Sequence, residues 1–132
     1  MEMEIVFSGN MKVDALLGNF VIKTDQTTSQ GGDASAPQPF DLFLASLGTC
    51  TGVYVLSFCK ARHIPTDDIT LHFKTERDRE THLITSITMS IKVPKTFPEK
   101  YKQAMIKSAE KCAVKRLLEQ PPDIAINMEQ IP

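Results

Sequence analysis

The stretch Pro39-Phe40-Asp41-Leu42-Phe43-Leu44-Ala45-Ser46-Leu47-Gly48-Thr49-Cys50-Thr51-Gly52 decides the fold. No charged residue occurs from Leu42 to Cys59, and the run is too long and too little alternating for a strand. It reads as a helix over about 39–63, opened by Pro39 at a tolerated first position and by Asp41 in the first turn. Lys60-Ala61-Arg62-His63 supplies cations at the far end, and Ile64-Pro65 stops it. A helix that is apolar on every side of a soluble domain is buried on every side, so the remainder is expected to wrap it. The uncharged run also reaches the length of a membrane span. Ser46, Gly48, Thr49, Thr51, Gly52 and Ser57 dilute it, and the amphipathic remainder can cover it. A buried helix of a soluble protein with no membrane partner is therefore expected. No charged segment leading into a short apolar stretch opens the chain, so no secretory signal is expected either.

The 132 residues are expected to form one domain, spanning 1–132, with enough core to dispense with disulfide or metal staples. Fifteen basic and sixteen acidic residues nearly cancel, which gives no reason to expect nucleic acid or an anionic membrane as a partner. Three cysteines, Cys50, Cys59 and Cys112, suggest free thiols in a reducing cytoplasm.

Met3, Ile5 and Phe7 alternate with polar neighbours, Ser8-Gly9-Asn10 turns the chain, and Met11, Val13 and Ala15 resume the alternation. Gly18-Asn19 marks a second turn before Phe20 and Ile22, completing a three-stranded N-terminal antiparallel meander. A polar loop over 24–38, containing Gly31-Gly32 and Pro37, feeds the central helix; loops of this length are often functional or mobile. After Pro65, Ile69, Leu71 and Phe73 alternate, Glu76-Arg77-Asp78-Arg79-Glu80 forms a solvated turn, and Leu83, Thr85, Ile87, Met89, Ile91 and Val93 share one face of the return strand. Thr96-Phe97-Pro98-Glu99 reads as a capping box. The helix after it buries Tyr101, Ala104, Met105, Ala109 and Cys112, and Cys112 to Leu118 continues it or starts a second short helix. Pro121-Pro122 ends the helical part, and Asp123-Ile124-Ala125-Ile126-Asn127-Met128 reads as a closing strand. This order of elements predicts an α+β domain.

Among groups that carry chemistry, Cys50 and Cys59 are nine residues apart, which puts them on opposite faces of one helix. Cys112 lies on another element and could meet Cys50 in space. Taken singly, each cysteine is more often inert core than reactive thiol, and Cys59 stays in that class. Cys50 differs in its neighbours: Gly48 and Gly52 flank it, and each glycine costs up to roughly 1 kcal/mol inside a helix. Either another element packs closely there or a small substrate needs room above the sulfur. His63, His72 and His82 lack metal-ligand spacing, so no metal and no cofactor is expected.

The segment Pro39-x-Asp41-Leu42-x-Leu44-Ala45-x-Leu47-Gly48-x-Cys50, with Lys111-Cys112-Ala113-Val114-Lys115-Arg116-Leu117-Leu118 further on, resembles the OsmC/Ohr family, and the order of strands and helices is similar over nearly the whole chain. The resemblance implies an OsmC-like fold forming an intertwined homodimer, and a thiol-dependent peroxidase for organic hydroperoxides. Cys50 would be the peroxidatic thiol that attacks the hydroperoxide and Cys112 the resolving one, with the resulting disulfide reduced by a dithiol such as a lipoyl group. The hydroperoxide-resistance enzymes of the family place a glutamate ten residues before the first cysteine, held by an arginine from the N-terminal strands. Here that position is Phe40, Asp41 is nine residues before Cys50, and only Lys12 and Lys23 offer an N-terminal cation. Ala113 stands where the family has a proline. The motif sits closer to the OsmC-like branch. A non-enzymatic binder of a small apolar ligand, or a thiol redox sensor on the same dimeric scaffold, is the alternative, and a purely structural dimer is a third reading.

Overall fold

The computed structural model describes residues 1–132 and is an α+β protein with antiparallel sheets and three helices. The chain divides into two compact units, Met1–Ser46 and Leu47–Pro132.

In the first unit, β1 (Glu4–Gly9), β2 (Lys12–Leu17) and β3 (Phe20–Ile22) form a three-stranded meander in chain order. Ile5 faces Ala15 and Phe7 faces Val13 across the first pair, and Leu17 faces Phe20 across the second. The turns fall where the sequence places them. Gly9 and Asn10 take positive φ in the first and Gly18 in the second, conformations that glycine and asparagine tolerate best.

The loop after β3 is densely bonded. A 3₁₀ turn at Thr28–Gln30 folds it back, and Asp25, fully buried, accepts hydrogen bonds from the Gln26 amide at 2.7 Å and from the Ser35 amide and hydroxyl at 3.0 and 2.6 Å. The Asp25 amide donates to the Pro37 carbonyl at 3.2 Å, and the Gln38 side chain donates to those of Gln26 and Gln30. The Ser35 hydroxyl, then its amide, hold the Asp25 carboxyl down at about 2 against burial, with the Gln26 amide and Lys12 assisting. A carboxyl depressed from its ordinary 3.8 contributes stability that is complete above 3.8 and disappears as pH falls through about 2. Amide exchange should therefore find Gln26 and Ser35 protected well into the acid range and released near pH 2. Ser35→Ala should move that release to higher pH, and an unmoved midpoint would refute the assignment.

Helix α1 (Pro39–Ala61) begins in the first unit and runs into the second. Asp41 stands in its first turn and Lys60 in its last, as expected. Its end is a Schellman turn: the Ile64 amide donates to Cys59 at 2.9 Å, the His63 amide to Lys60 at 3.3 Å, and His63 takes φ 54°. A non-glycine residue there is strained, so His63→Gly should raise stability by about 1 kcal/mol, read as a higher denaturation midpoint.

In the second unit, β4 (Thr70–Arg77) and β5 (Ile84–Lys92) pair as an antiparallel hairpin, followed by α2 (Lys102–Ala109) and α3 (Ala113–Glu119). Val55, Phe58 and Cys59 of α1 meet Phe97, Met105 and Ala109 in the core, with Ile64, Ile69, Leu71, Ile91, Val93 and Tyr101 packed around them. By length and composition α1 could cross a membrane. In this unit it acts as a core helix.

Four expectations are corrected. First, α1 is buried along one stripe, Leu47, Thr51, Val55, Phe58 and Cys59, rather than all round, because one chain supplies packing for one side; Val53 and Leu56 stay exposed. Second, no capping box forms at Thr96. Phe97 is drawn into the core, a 3₁₀ turn at Glu99–Tyr101 follows, and α2 starts only at Lys102 with no side-chain cap; Ala104 is exposed. Third, an irregularity opposite Glu76 and Arg77, which face Ser86 and Ile84, breaks the parity of β5, so Leu83 and Thr85 leave the buried face while Ile87, Met89, Ile91 and Val93 keep it. Fourth, residues 123–128 form no strand: alternation selects the faces of a strand but does not supply a neighbouring edge, and Ile124, Ile126 and Met128 are exposed.

Candidate functional site

Leu47, Cys50 and Thr51 share one turn of α1. Across from them, Cys112 sits in the break between α2 and α3. The Cys112 amide donates to Ala109 at 3.2 Å, closing α2, and its carbonyl accepts from Arg116 at 3.0 Å, opening α3. Ala113 in place of a proline leaves this break intact, so Cys112 starts a second short helix as its N-cap residue. The sulfur is fully buried and faces the Leu47 carbonyl at 3.9 Å.

Cys50 is half-buried, unbridged, and within hydrogen-bonding reach of Cys112. The two cysteines singled out in the sequence are thus brought together as free thiols. Burial alone pushes the Cys112 thiol up. Four donors outweigh it, the Lys115 amide, the Thr51 hydroxyl, the Cys50 thiol and the Val114 amide, and they hold Cys112 below the ordinary cysteine value. Cys59 is set apart in the core, where burial pushes its thiol up against a smaller opposing pull from Arg62. It is a buried core cysteine.

The two glycines flanking Cys50 separate in purpose. A Cβ on Gly48 would lie 3.4 Å from the Phe73 ring, so this glycine serves close packing of β4. A Cβ on Gly52 would meet nothing within 4 Å. A groove of about 590 Å³ opens beside Thr51, lined by Ile87, Met89, Met105 and Ile106, with Lys115 also on its wall. Thr51 reads in sequence only as one of several small polar residues near Cys50. Its burial and its contact with Cys112 depend on a segment far along the chain, and no local signal announces them.

The other candidates are placed elsewhere. Lys12 is ion-paired with Asp33 and hydrogen-bonded to it, which raises the lysine's pKa. Asp41 and Phe40 lie exposed in the first turn of α1. His72 is exposed on β4 and His82 is exposed in the hairpin turn, at φ 60°. No group of three His, Cys, Asp or Glu residues is placed to hold a metal ion.

The fold defines the class. Solved OsmC-like structures share it: an osmotic stress induced and detoxification response protein from Psychrobacter arcticus 273-4 superposes with a TM-score of 0.71 at 19% identity, over 86% of this chain and 85% of that one. An OsmC like protein from Mycoplasma pneumoniae gives 0.70 at 14% identity, over 91% and 87%. The organic hydroperoxide resistance protein OhrB of Bacillus subtilis gives 0.55 at 17% identity, over 92% and 93%. No curated protein sequence matches significantly. The sequence itself matches the OsmC-like protein family over residues 31–127, more than half of the chain, and the protein belongs to that family.

Proposed function

We propose that this protein is a thiol-dependent peroxidase that reduces organic hydroperoxides through Cys50 and Cys112. The observation that carries the reading is the half-buried Cys50 thiol within hydrogen-bonding reach of a buried Cys112 whose donors favour its anion. The Cys50 thiolate attacks the outer peroxide oxygen, the O–O bond breaks, and the alkoxide leaves and takes a proton as the alcohol. The Cys112 thiolate then attacks the Cys50 sulfenic acid; an S–S bond forms, the S–O bond breaks, and hydroxide leaves as water. A dithiol, such as a lipoyl group, restores both thiols. The cytoplasm suits this cycle because it keeps them reduced.

A homodimer belongs to the same reading. Every buried apolar side chain lies in the Leu47–Pro132 unit, whereas the meander leaves Ile5, Phe7, Phe20 and Val21 exposed. A second copy would cover such surfaces, and the open apolar side of α1 with them.

The test is a free-thiol count with intact mass before and after one equivalent of cumene hydroperoxide, without reductant. Loss of two thiols and two hydrogens, abolished by Cys50→Ser, is the expected result. Survival of all three thiols would overturn it. The groove beside Thr51 favours a second reading, a binder of a small apolar ligand, in which binding is indifferent to Cys50→Ser and Cys112→Ser.

A further inference from the structure

Thr51 is the one polar side chain fully packed away in the Leu47–Pro132 unit, at 4% exposure. Its hydroxyl donates to the Leu47 carbonyl one turn back, at 2.9 Å. The Cys112 sulfur faces that same carbonyl at 3.9 Å, and the Thr51 hydroxyl is itself within hydrogen-bonding reach of the sulfur. A hydroxyl has one proton and rotates to suit its surroundings, so the carbonyl and the sulfur compete for it. A neutral thiol is a weak acceptor and loses that competition. A thiolate receives a charge-assisted bond, roughly twice as strong as a neutral one, and wins it.

We propose that Thr51 is a positioning residue for the cysteine pair: its hydroxyl rests on the Leu47 carbonyl while Cys112 keeps its proton and turns to the sulfur when that proton leaves. The sulfur has other neighbours as well. Cys50 approaches it from α1, and the amides of Val114 and Lys115 lie beside it at the start of α3. The Lys115 ammonium also interacts with Cys112, but it is itself paired with Glu119 and feels Glu110. The Thr51 proton can change sides between the Leu47 carbonyl and the sulfur.

Thr51 therefore stabilises the charge on Cys112 at the stage where that sulfur must attack, once Cys50 is a sulfenic acid. This catalytic consequence rests on the peroxidase reading; the placement of the charge does not. The ultraviolet thiolate band of the full-length protein, titrated against pH with Cys112→Ser to assign the signal, tests the placement directly. Thr51→Val should raise the Cys112 midpoint by about one pH unit, leaving about tenfold less thiolate at any pH well below it. Thr51→Ser should restore the wild-type midpoint, which a packing role alone would not do, and Thr51→Ala gives the same test should valine not pack. An unmoved midpoint in Thr51→Val or Thr51→Ala, or a serine variant that fails to restore it, overturns the proposal. With limiting cumene hydroperoxide, disulfide formation in Thr51→Val should slow by a similar factor while the oxidation of Cys50 does not. If wild-type protein forms no disulfide at all, the peroxidase reading fails while the titration still decides the role of Thr51.

Discussion

Replacing Cys112 by serine is expected to leave a protein that reduces a single equivalent of organic hydroperoxide and then stops. The first step needs only the Cys50 sulfur, so an oxygen is transferred and a sulfenic acid forms. The second step needs a thiolate beside it, and a serine hydroxyl neither ionises near neutral pH nor forms the disulfide. With excess peroxide the trapped sulfenic acid should advance to the sulfinic acid, a further oxygen that intact mass records. Cys50→Ser should fail at the first step. In a dithiothreitol-driven assay, both variants should lose on the order of a thousandfold or more in turnover, since each removes a reacting atom rather than an accessory group. If Cys112→Ser retained turnover within about tenfold of wild type, an external thiol would be resolving the sulfenic acid, and Cys112 would lose its assigned part.

The second large effect is expected at Gly32→Ala. A Cβ there would stand 2.1 Å from the Gln26 carbonyl oxygen and 2.5 Å from its carbon. Both are backbone atoms, so no side-chain rotation relieves the overlap. The loop has to open, and the bonds that depend on its present path go with it: Gly32 amide to Thr27 at 2.9 Å, Ala34 amide to Gln26 at 3.1 Å, and the Ser35 donors to Asp25. At about 1 kcal/mol for each hydrogen bond, with strain added, the cost is on the order of 3 kcal/mol or more. Loss of amide protection at Ser35, together with a lower denaturation midpoint, is the readout; unchanged protection would show that the Gln26–Gly32 approach is not required.

The extent to which this could be read in sequence follows from how local each signal is. The meander and the β4–β5 hairpin were legible because Gly9-Asn10, Gly18-Asn19 and the charged run after Glu76 are turn chemistry acting within a few residues. Helix α1 was legible from its uncharged run and its charged ends. The internal order of the 24–38 loop was not, because it hangs on Asp25 reaching Ser35, and any polar loop contains such residues. The closing strand misled for the converse reason: Ile124, Ile126 and Met128 carry a strand pattern, yet a strand also needs an edge to bind. At the site, Cys50 and Cys112 could be joined through resemblance alone, since helical geometry excludes the Cys50–Cys59 pair but does not select Cys112. Thr51 stayed silent because its meaning lies in the Leu47 carbonyl and a sulfur from another helix.

The contrast between a polar latch and an apolar core has a calorimetric consequence. Unfolding raises heat capacity in proportion to the apolar surface newly wetted, and newly wetted polar surface lowers it. The Leu47–Pro132 unit, with Val55, Phe58, Phe97 and Met105 packed inside, accounts for most of that increment in a single chain. The Met1–Ser46 unit, closed on Asp25, adds less, because none of its apolar side chains is fully buried: Ile5, Phe7, Phe20 and Val21 are exposed and those of β2 are half-buried. Any heat-capacity increment beyond that of the single chain is then a direct gauge of how much of the meander something else has covered.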